Sequence, residues 1–406
     1  MTDRTGKRLL LLGPVPERSA VGGLPAALAS VAEELRRLGW DVDAPMFDAP
    51  APTIVGAPKM LGALQRSALF LRARLAIPAD LRRTLSAALW PAGVRRGMAE
   101  NLRWAEDQLA RPERYDVVLV CPDVNVPGIL ALALDRHPRV AAVSLFALAE
   151  ELRARLWGLP RSQGAHPYYF RPAEARQIRC ALFASERWQR DALAAGLAPG
   201  VAHTVYFGIP VGPMPPRSEP AGRRLLWIGR LSPEKGLHFL LRALPRLRQQ
   251  LPGLTLTAVA GEGEAAYRHQ IEQIIRSEQL ADSVHLHAPV ARSELPRLYA
   301  SHDALFFYSI FDEPVALVLM ESFAHGLPVV ANHAGTADLV RDGETCRTCD
   351  PGAPESIAAA FGRLFGDPAA TRAMTMRARA LVESKYSSAA MGEAYDRLLS
   401  ALCAGG

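Results

Sequence analysis

The chain has 406 residues, of which 49% are apolar and 22% charged, and its formal net charge is +6. This balance suits a globular protein of two domains of roughly 200 residues each and excludes a disordered or fibrous chain. No apolar run approaches the roughly 18 residues that a membrane-crossing helix needs. Five cysteines are too few and too scattered for a disulfide framework. Cys346 and Cys349 form a lone CxxC with no second pair to complete a tetrahedral zinc site, so they read as part of a small loop after Gly343.

The charge is uneven. Between Ala51 and Arg103 there are nine Lys or Arg and two acids, so this segment alone carries +7. Only four of the 47 basic residues are lysines: Lys7, Lys59, Lys235 and Lys385.

Taken in chain order, the residues Arg8–Pro14 form an apolar β-type run, too short for a signal-peptide core and better read as a first buried strand. Without a targeting segment, the expectation is a cytoplasmic protein, with peripheral contact at the inner membrane face open to it through the basic 51–103 segment. A helix from about Gly23 to Leu38 follows, and Gly22-Gly23 at its start suit a close backbone approach to phosphate. Asp41–Phe47 begins with Asp-Val-Asp, a spacing that can hold a divalent ion; at the start of a strand it reads as edge-strand polarity. Met60 to Leu109 interrupts the alternation with two basic amphipathic helical patterns. Further strands are expected at Asp116–Cys121, Val140–Phe146, Cys180–Ala184 and His203–Phe207.

The stretch Ile209 to Ala221 has five prolines and no periodicity, and reads as a linker. It divides the chain into a domain over 1–208 and a second over 209–387. The second half repeats the strand–helix alternation at Leu225–Gly229, Leu254–Ala260, Val284–His287, Ala304–Tyr308 and Pro328–Ala331. Alternation of this kind requires a parallel sheet with helices on both faces, and ligands then bind at the carboxyl ends of the strands.

The densest information lies in Phe311 to Val330, FDEPVALVLMESFAHGLPVV. Glu313 and Glu321 stand eight positions apart around a helical run from Ala316 to His325. Pro314 and Gly326 read as its start and stop signals. The N–H groups at the positive end of such a helix offer a phosphate site between the two carboxylates.

This arrangement resembles the E-x7-E signature of the GT4 family of retaining glycosyltransferases, whose GT-B fold pairs two Rossmann-like domains. LWIGRLSPEKG over Leu226 to Gly236 is similar to that family's G-R-L…K-G segment, and AGEGE over Ala260 to Glu264 to its glycine turn. The resemblance implies an enzyme that moves a hexose from a nucleotide-sugar donor, with UDP favoured over GDP, to a hydroxyl of a glycan, lipid-linked or small-molecule acceptor. The donor would lie in a cleft between the domains, the first of which would shape the acceptor site.

In the implied roles, Arg230 and Lys235 neutralise the departing diphosphate and Glu313 contacts the transferred sugar. Glu321 accepts from the ribose hydroxyls. Gly22, Gly23, Gly229 and Gly261 let backbone approach the donor, and Val290, Ala316, Leu317 and Val318 line its site. A cationic clamp makes a metal unnecessary, so neither a metal nor another cofactor is expected. The final helix, over 388–406, would cap the first domain.

Several positions depart from the family pattern. Val315-Ala316 replaces Phe-Gly, Asn332-His333-Ala334-Gly335 replaces Ser/Thr with paired glycines, and Asp338 replaces Glu. No histidine stands in AVSLFALAEE, where an acceptor-side His is common; His166 is the nearby substitute and reads as an ordinary loop residue. Two alternatives stay open: a nucleotide-sugar 2-epimerase of the same fold, and a non-catalytic protein that lies on a membrane surface through the basic 51–103 segment. No nucleic-acid motif is present.

Overall fold

The computed structural model describes residues 7–13, 23–45, 103–121, 129–144, 177–194, 197–216, 223–261, 263, 265–309, 316–332 and 339–405. The chain divides into two compact units, 1–207 with 388–406, and 208–387. Glu313, Gly22, Pro314, His166, His333, Asp338 and the amphipathic patterns between 60 and 102 lie outside the described residues.

The N-terminal unit contains one six-stranded sheet: β1 (Arg8–Leu12), β2 (Asp41–Asp43), β3 (Val117–Val120), β4 (Val140–Ser144), β5 (Cys180–Phe183) and β6 (Ala202–Thr204). The strands are all parallel, in the order β2-β1-β3-β4-β5-β6. Helices α1 (Gly23–Arg37), α2 (Ile129–Arg136) and α3 (Glu186–Ala194) follow β1, β3 and β5. Inner strands such as Val-Val-Leu-Val and Cys-Ala-Leu-Phe are buried along their whole length, because helices cover both faces of a parallel sheet. The edge strand β2 keeps its two aspartates partly or fully in solvent, and each is taken up locally. Arg8 Nε donates to Asp41 at 2.8 Å and the Tyr115 hydroxyl donates to Asp43 at 2.6 Å.

The second unit has its own parallel sheet: β7 (Arg224–Arg230), β8 (Thr255–Gly261), β9 (Val284–His287), β10 (Ala304–Phe307), β11 (Val329–Asn332) and β12 (Arg347–Cys349). Its helices are α4 (Leu237–Gln250), α5 (Ala265–Ser277), α6 (Leu295–Ser301), α7 (Leu317–Ala324), α8 (Pro354–Gly366) and α9 (Pro368–Lys385). The order is β12-β11-β10-β7-β8-β9, so the chain starts in the middle, builds to one edge and returns to build the other. The order reverses between β7 and β10, and a crevice opens at such a switch point beyond the carboxyl ends of the strands.

Sequence and structure differ at the CxxC and at the segment read as a linker. β12 follows a turn at Gly343 and its Cys349 thiol faces the Ala331 carbonyl, so the CxxC belongs partly to an edge strand; Cys346 and Cys349 are buried free thiols. Helix α7 begins at Leu317, one residue inside the expected start at Ala316. Its end does follow Gly326, at φ 63°, where Gly326 N–H donates to Phe323 and Leu327 N–H to Ser322. That pair of bonds is a Schellman cap, which satisfies the last carbonyls. The segment Ile209 to Pro216 is held on the second unit, with Ile209 N–H donating to Tyr386 and Arg379 donating to the Gly212 carbonyl.

Helix α10 (Ser388–Ala404) packs on α1 within the N-terminal unit. Trp40 Nε1 donates to Asp396 at 2.8 Å, and a Cβ on Gly392 would lie 2.7 Å from that of Glu34.

Gly236, at φ 65°, joins the turn after β7 to α4, and a Cβ there would overlap the Tyr308 ring. Gly253, at φ 81°, has open space around it. Gly236→Ala therefore combines backbone strain with overpacking and should cost about 2–5 kcal/mol. Gly253→Ala meets strain alone, about 1–2 kcal/mol. Urea unfolding of both variants measures the difference; equal losses would remove the steric argument.

Candidate functional site

Strand β7 ends in Gly229-Arg230, which pair in register with Ala260-Gly261 at the end of β8. The chain then turns through a 3-10 turn at Pro233–Lys235 before entering α4. Two bonds hold this turn: Lys235 N–H donates to Ser232 at 3.0 Å, and the indole of buried Trp227 donates to the Lys235 carbonyl at 3.0 Å. Gly229 carries no side chain where the Trp227 ring lies; a Cβ there would sit 3.0 Å from it and 3.5 Å from Lys235 Cβ. Gly229, Arg230, Lys235 and Gly261 thus adjoin at the carboxyl ends of two neighbouring strands.

Arg230 does not stand alone. Its guanidinium pairs with Glu234 at 3.0 Å, with the arginine more than half exposed and the glutamate mostly covered. Glu234 is a feature that motif reading passed over, although its spacing of four from Arg230 is visible. The glycine turn is also more specific than its spacing suggests. A Cβ on Gly261 would make ordinary contacts at 3.6 Å or more, whereas one on Gly263 would overlap the Leu231 backbone. Gly263, rather than Gly261, is the position that only glycine fits.

The beginnings of α4 and α5 are tied together. His238 N–H donates to the Tyr267 hydroxyl at 3.2 Å, and that hydroxyl meets His238 Nδ1 at 2.7 Å. Burial first, and the Arg242 charge second, hold the His238 imidazole down at about 4, so it is neutral at pH 7.

Across the switch point, β10 and β11 are locked at their carboxyl ends. The buried Asn332 amide donates to the Ser309 carbonyl at 2.8 Å and accepts the Ser309 N–H at 3.1 Å. The carboxamide acts as one more rung of the ladder, with its donor and acceptor on separate atoms.

Ala316 is buried at the N-terminal boundary of α7, and Leu317 and Val318 are half-buried on its first turn. An α-helix leaves its first N–H groups without intrahelical partners and carries partial positive charge at that end, so this start can receive an anion. Glu321 sits one turn further on. Its two oxygens already have partners: Arg292 Nη2 donates at 2.9 Å and the Tyr299 hydroxyl donates at 2.8 Å. Burial raises the Glu321 carboxyl above its ordinary value, and Tyr299, Arg292 and His325 oppose that rise. Arg292 lies two residues past half-buried Val290, in the connection that follows β9. The signal that would have found Arg292 and Tyr299 is spatial: they come from a different strand–helix connection and keep no fixed spacing to Glu321.

Among the described residues, no three His, Cys, Asp or Glu side chains cluster as a metal site, and no helix is long and apolar enough to cross a membrane.

Residues 222–367 match the family model described as glycosyl transferases group 1. The glycogen synthase of Mycobacterium tuberculosis is 35% identical over 179 residues, covering 42% of this chain and 40% of that protein. The chain thus spans less than half the length of the first curated relatives it matches. The MMP alpha-(1->4)-mannosyltransferase of Mycolicibacterium hassiacum is 28% identical over 69% of both chains. Among solved structures, Anabaena HepE in complex with UDP and glucose superposes with a TM-score of 0.64 at 18% identity, over 97% of this chain and all of that one. With two parallel six-stranded sheets and a solved neighbour superposed along its length, this chain has the GT-B fold, and residues 222–367 are similar to glycosyl transferases group 1.

Proposed function

We propose that the protein is a retaining, metal-independent hexosyltransferase that uses a nucleoside-diphosphate sugar, UDP-linked in preference to GDP-linked. The observation that carries this reading is the grouping of Arg230 and Lys235 at the carboxyl end of β7, beside the switch point, with Glu321 on the helix that follows β10. Relatives named glycogen synthase and mannosyltransferase support the hexose, and the UDP held by HepE supports the base. The acceptor is a hydroxyl of a glycan, a lipid-linked sugar or a small molecule.

In the proposed reaction the bond between the sugar C1 and the diphosphate oxygen breaks as a bond from C1 to the acceptor oxygen forms on the same face. The acceptor proton ends on a phosphate oxygen of the departing diphosphate, so no protein nucleophile is required. Negative charge grows on that diphosphate, and cations already held in place lower the barrier because they need no reorganisation. The Trp227 bond and the 3-10 turn fix the backbone of Lys235, and Glu234 fixes the fork of Arg230.

Arg230→Ala and Lys235→Ala should each reduce turnover more than donor affinity, with a loss of about 2–4 kcal/mol in transition-state stabilisation. Steady-state kinetics with UDP- and GDP-hexoses, alongside titration of the free diphosphates, measures both quantities. Near-normal turnover in both variants would overturn the reading, and product with inverted anomeric configuration by NMR would overturn retention.

Activity should persist in excess EDTA, and Asp41→Asn and Asp43→Asn should behave as wild type. A strict requirement for Mn or Mg, restored on adding the ion back, would refute the metal-independent mechanism.

A further inference from the structure

Two side chains outside the motif set meet the Glu321 carboxylate, one on each oxygen. Tyr299 is buried on α6, and its hydroxyl donates to Oε2 at 2.8 Å; Arg292 is half exposed and donates to Oε1 at 2.9 Å. The carboxylate itself is only 12% exposed. A carboxylate offers about four acceptor positions. Among the described residues two are used, which leaves one on each oxygen. That is the pattern that two adjacent hydroxyls of a ribose present.

We propose that Arg292 and Tyr299 are positioning residues that fix the plane of the Glu321 carboxylate, so that its two remaining acceptor sites meet a vicinal diol. This rests on the reading of Glu321 as the ribose contact. A carboxylate free to rotate would grip either hydroxyl in turn, whereas a fixed one requires both. The two donors also come from outside α7, so the orientation does not depend on the helix alone.

Among the described residues, His325 and Arg379 are further titratable or charged groups at this helix. His325 ends α7, with Nδ1 on the Glu321 carbonyl at 2.7 Å and its ring 5.1 Å from that of Tyr299. Arg379 of α9 donates to the Ala324 carbonyl rather than to the carboxylate. Burial pushes the Tyr299 hydroxyl well above its ordinary value, so it stays a neutral donor. Burial raises Glu321, and the two donors lower it; removing either should raise it further. Affinity that needs the ionised carboxylate is present above its pKa and is lost as pH falls through it. The variants should therefore lose affinity at a higher pH than wild type.

The test is calorimetric titration of UDP and GDP, with their 2′-deoxy counterparts, into the full chain across pH 5 to 8. Wild type should prefer the better ribonucleotide over its deoxy form by on the order of 10- to 100-fold, as hydrogen bonds to a charged group allow. Arg292→Gln, on a half-exposed position, and Tyr299→Phe, which keeps the ring, should each weaken the ribonucleotide roughly fivefold. Both should leave the deoxy form nearly unchanged, with the acid limb moved up in pH; Arg292→Lys should recover part of the preference. An unaltered ribose preference and acid limb in both variants, with the preference abolished in Glu321→Gln, would overturn the positioning role alone. Unchanged ribonucleotide affinity in Glu321→Gln would overturn the ribose contact itself, and the positioning role with it.

Discussion

The bond from the Trp227 indole to the Lys235 carbonyl joins the core of the second unit to its candidate chemistry. Trp227 is 1% exposed, and a buried indole N–H must find an acceptor or lose on the order of 1–3 kcal/mol. The acceptor it finds is the backbone of the residue whose side chain is read as meeting the diphosphate. Packing of β7 therefore decides where the turn closes. The turn in turn demands glycine at 236, because the Tyr308 ring occupies the place of a side chain. Glycine at 229 completes the set by giving the indole room. The clamp is in this sense an outgrowth of the hydrophobic core rather than a loop laid over it.

The same logic recurs on the other side of the switch point with different chemistry. There the joint between sheet and loop is polar: Asn332 and Ser309 exchange two bonds in a buried setting. Tyr299 and Arg292 then take hold of Glu321 from a third connection. The connections after β9 and β10 meet at the Glu321 carboxylate, and the one after β7 is anchored separately by the Trp227 indole.

Much of the architecture was legible in the sequence because parallel strands are buried on both faces. Val284–His287 was read with the bounds observed, and most other strands differ by a few residues at their ends. β12 escaped notice because it is three residues long and lies at an edge, where an apolar run is not required. The run read as Ala316 to His325 differs from α7 by one residue at each end, because its apolar spacing and Gly326 bound it. The candidate site residues stand out in the sequence as types at a spacing; their partners do not. Glu234, Tyr299 and Arg292 are ordinary residues in one dimension and acquire meaning only through what they touch. Likewise, the sequence treats Gly261 and Gly263 alike, and only the Leu231 backbone tells them apart.

Helix α10 has a consequence for how the chain is made. Its Tyr395 is fully covered, near Cys121 and Cys180, and its face against α1 is closed by Gly392 beside Glu34. The N-terminal unit therefore contains residues that a ribosome adds only after the whole of 208–387 has been synthesised. Until then the face of α1 that meets α10 and the Trp40 Nε1 lack these partners, and the unit made first is the unit completed last. The second unit, continuous in sequence, has no such wait. Vectorial synthesis thus leaves a nascent chain with an unfinished amino-terminal core beside a finished neighbour, the state in which exposed apolar surface is most open to chaperones.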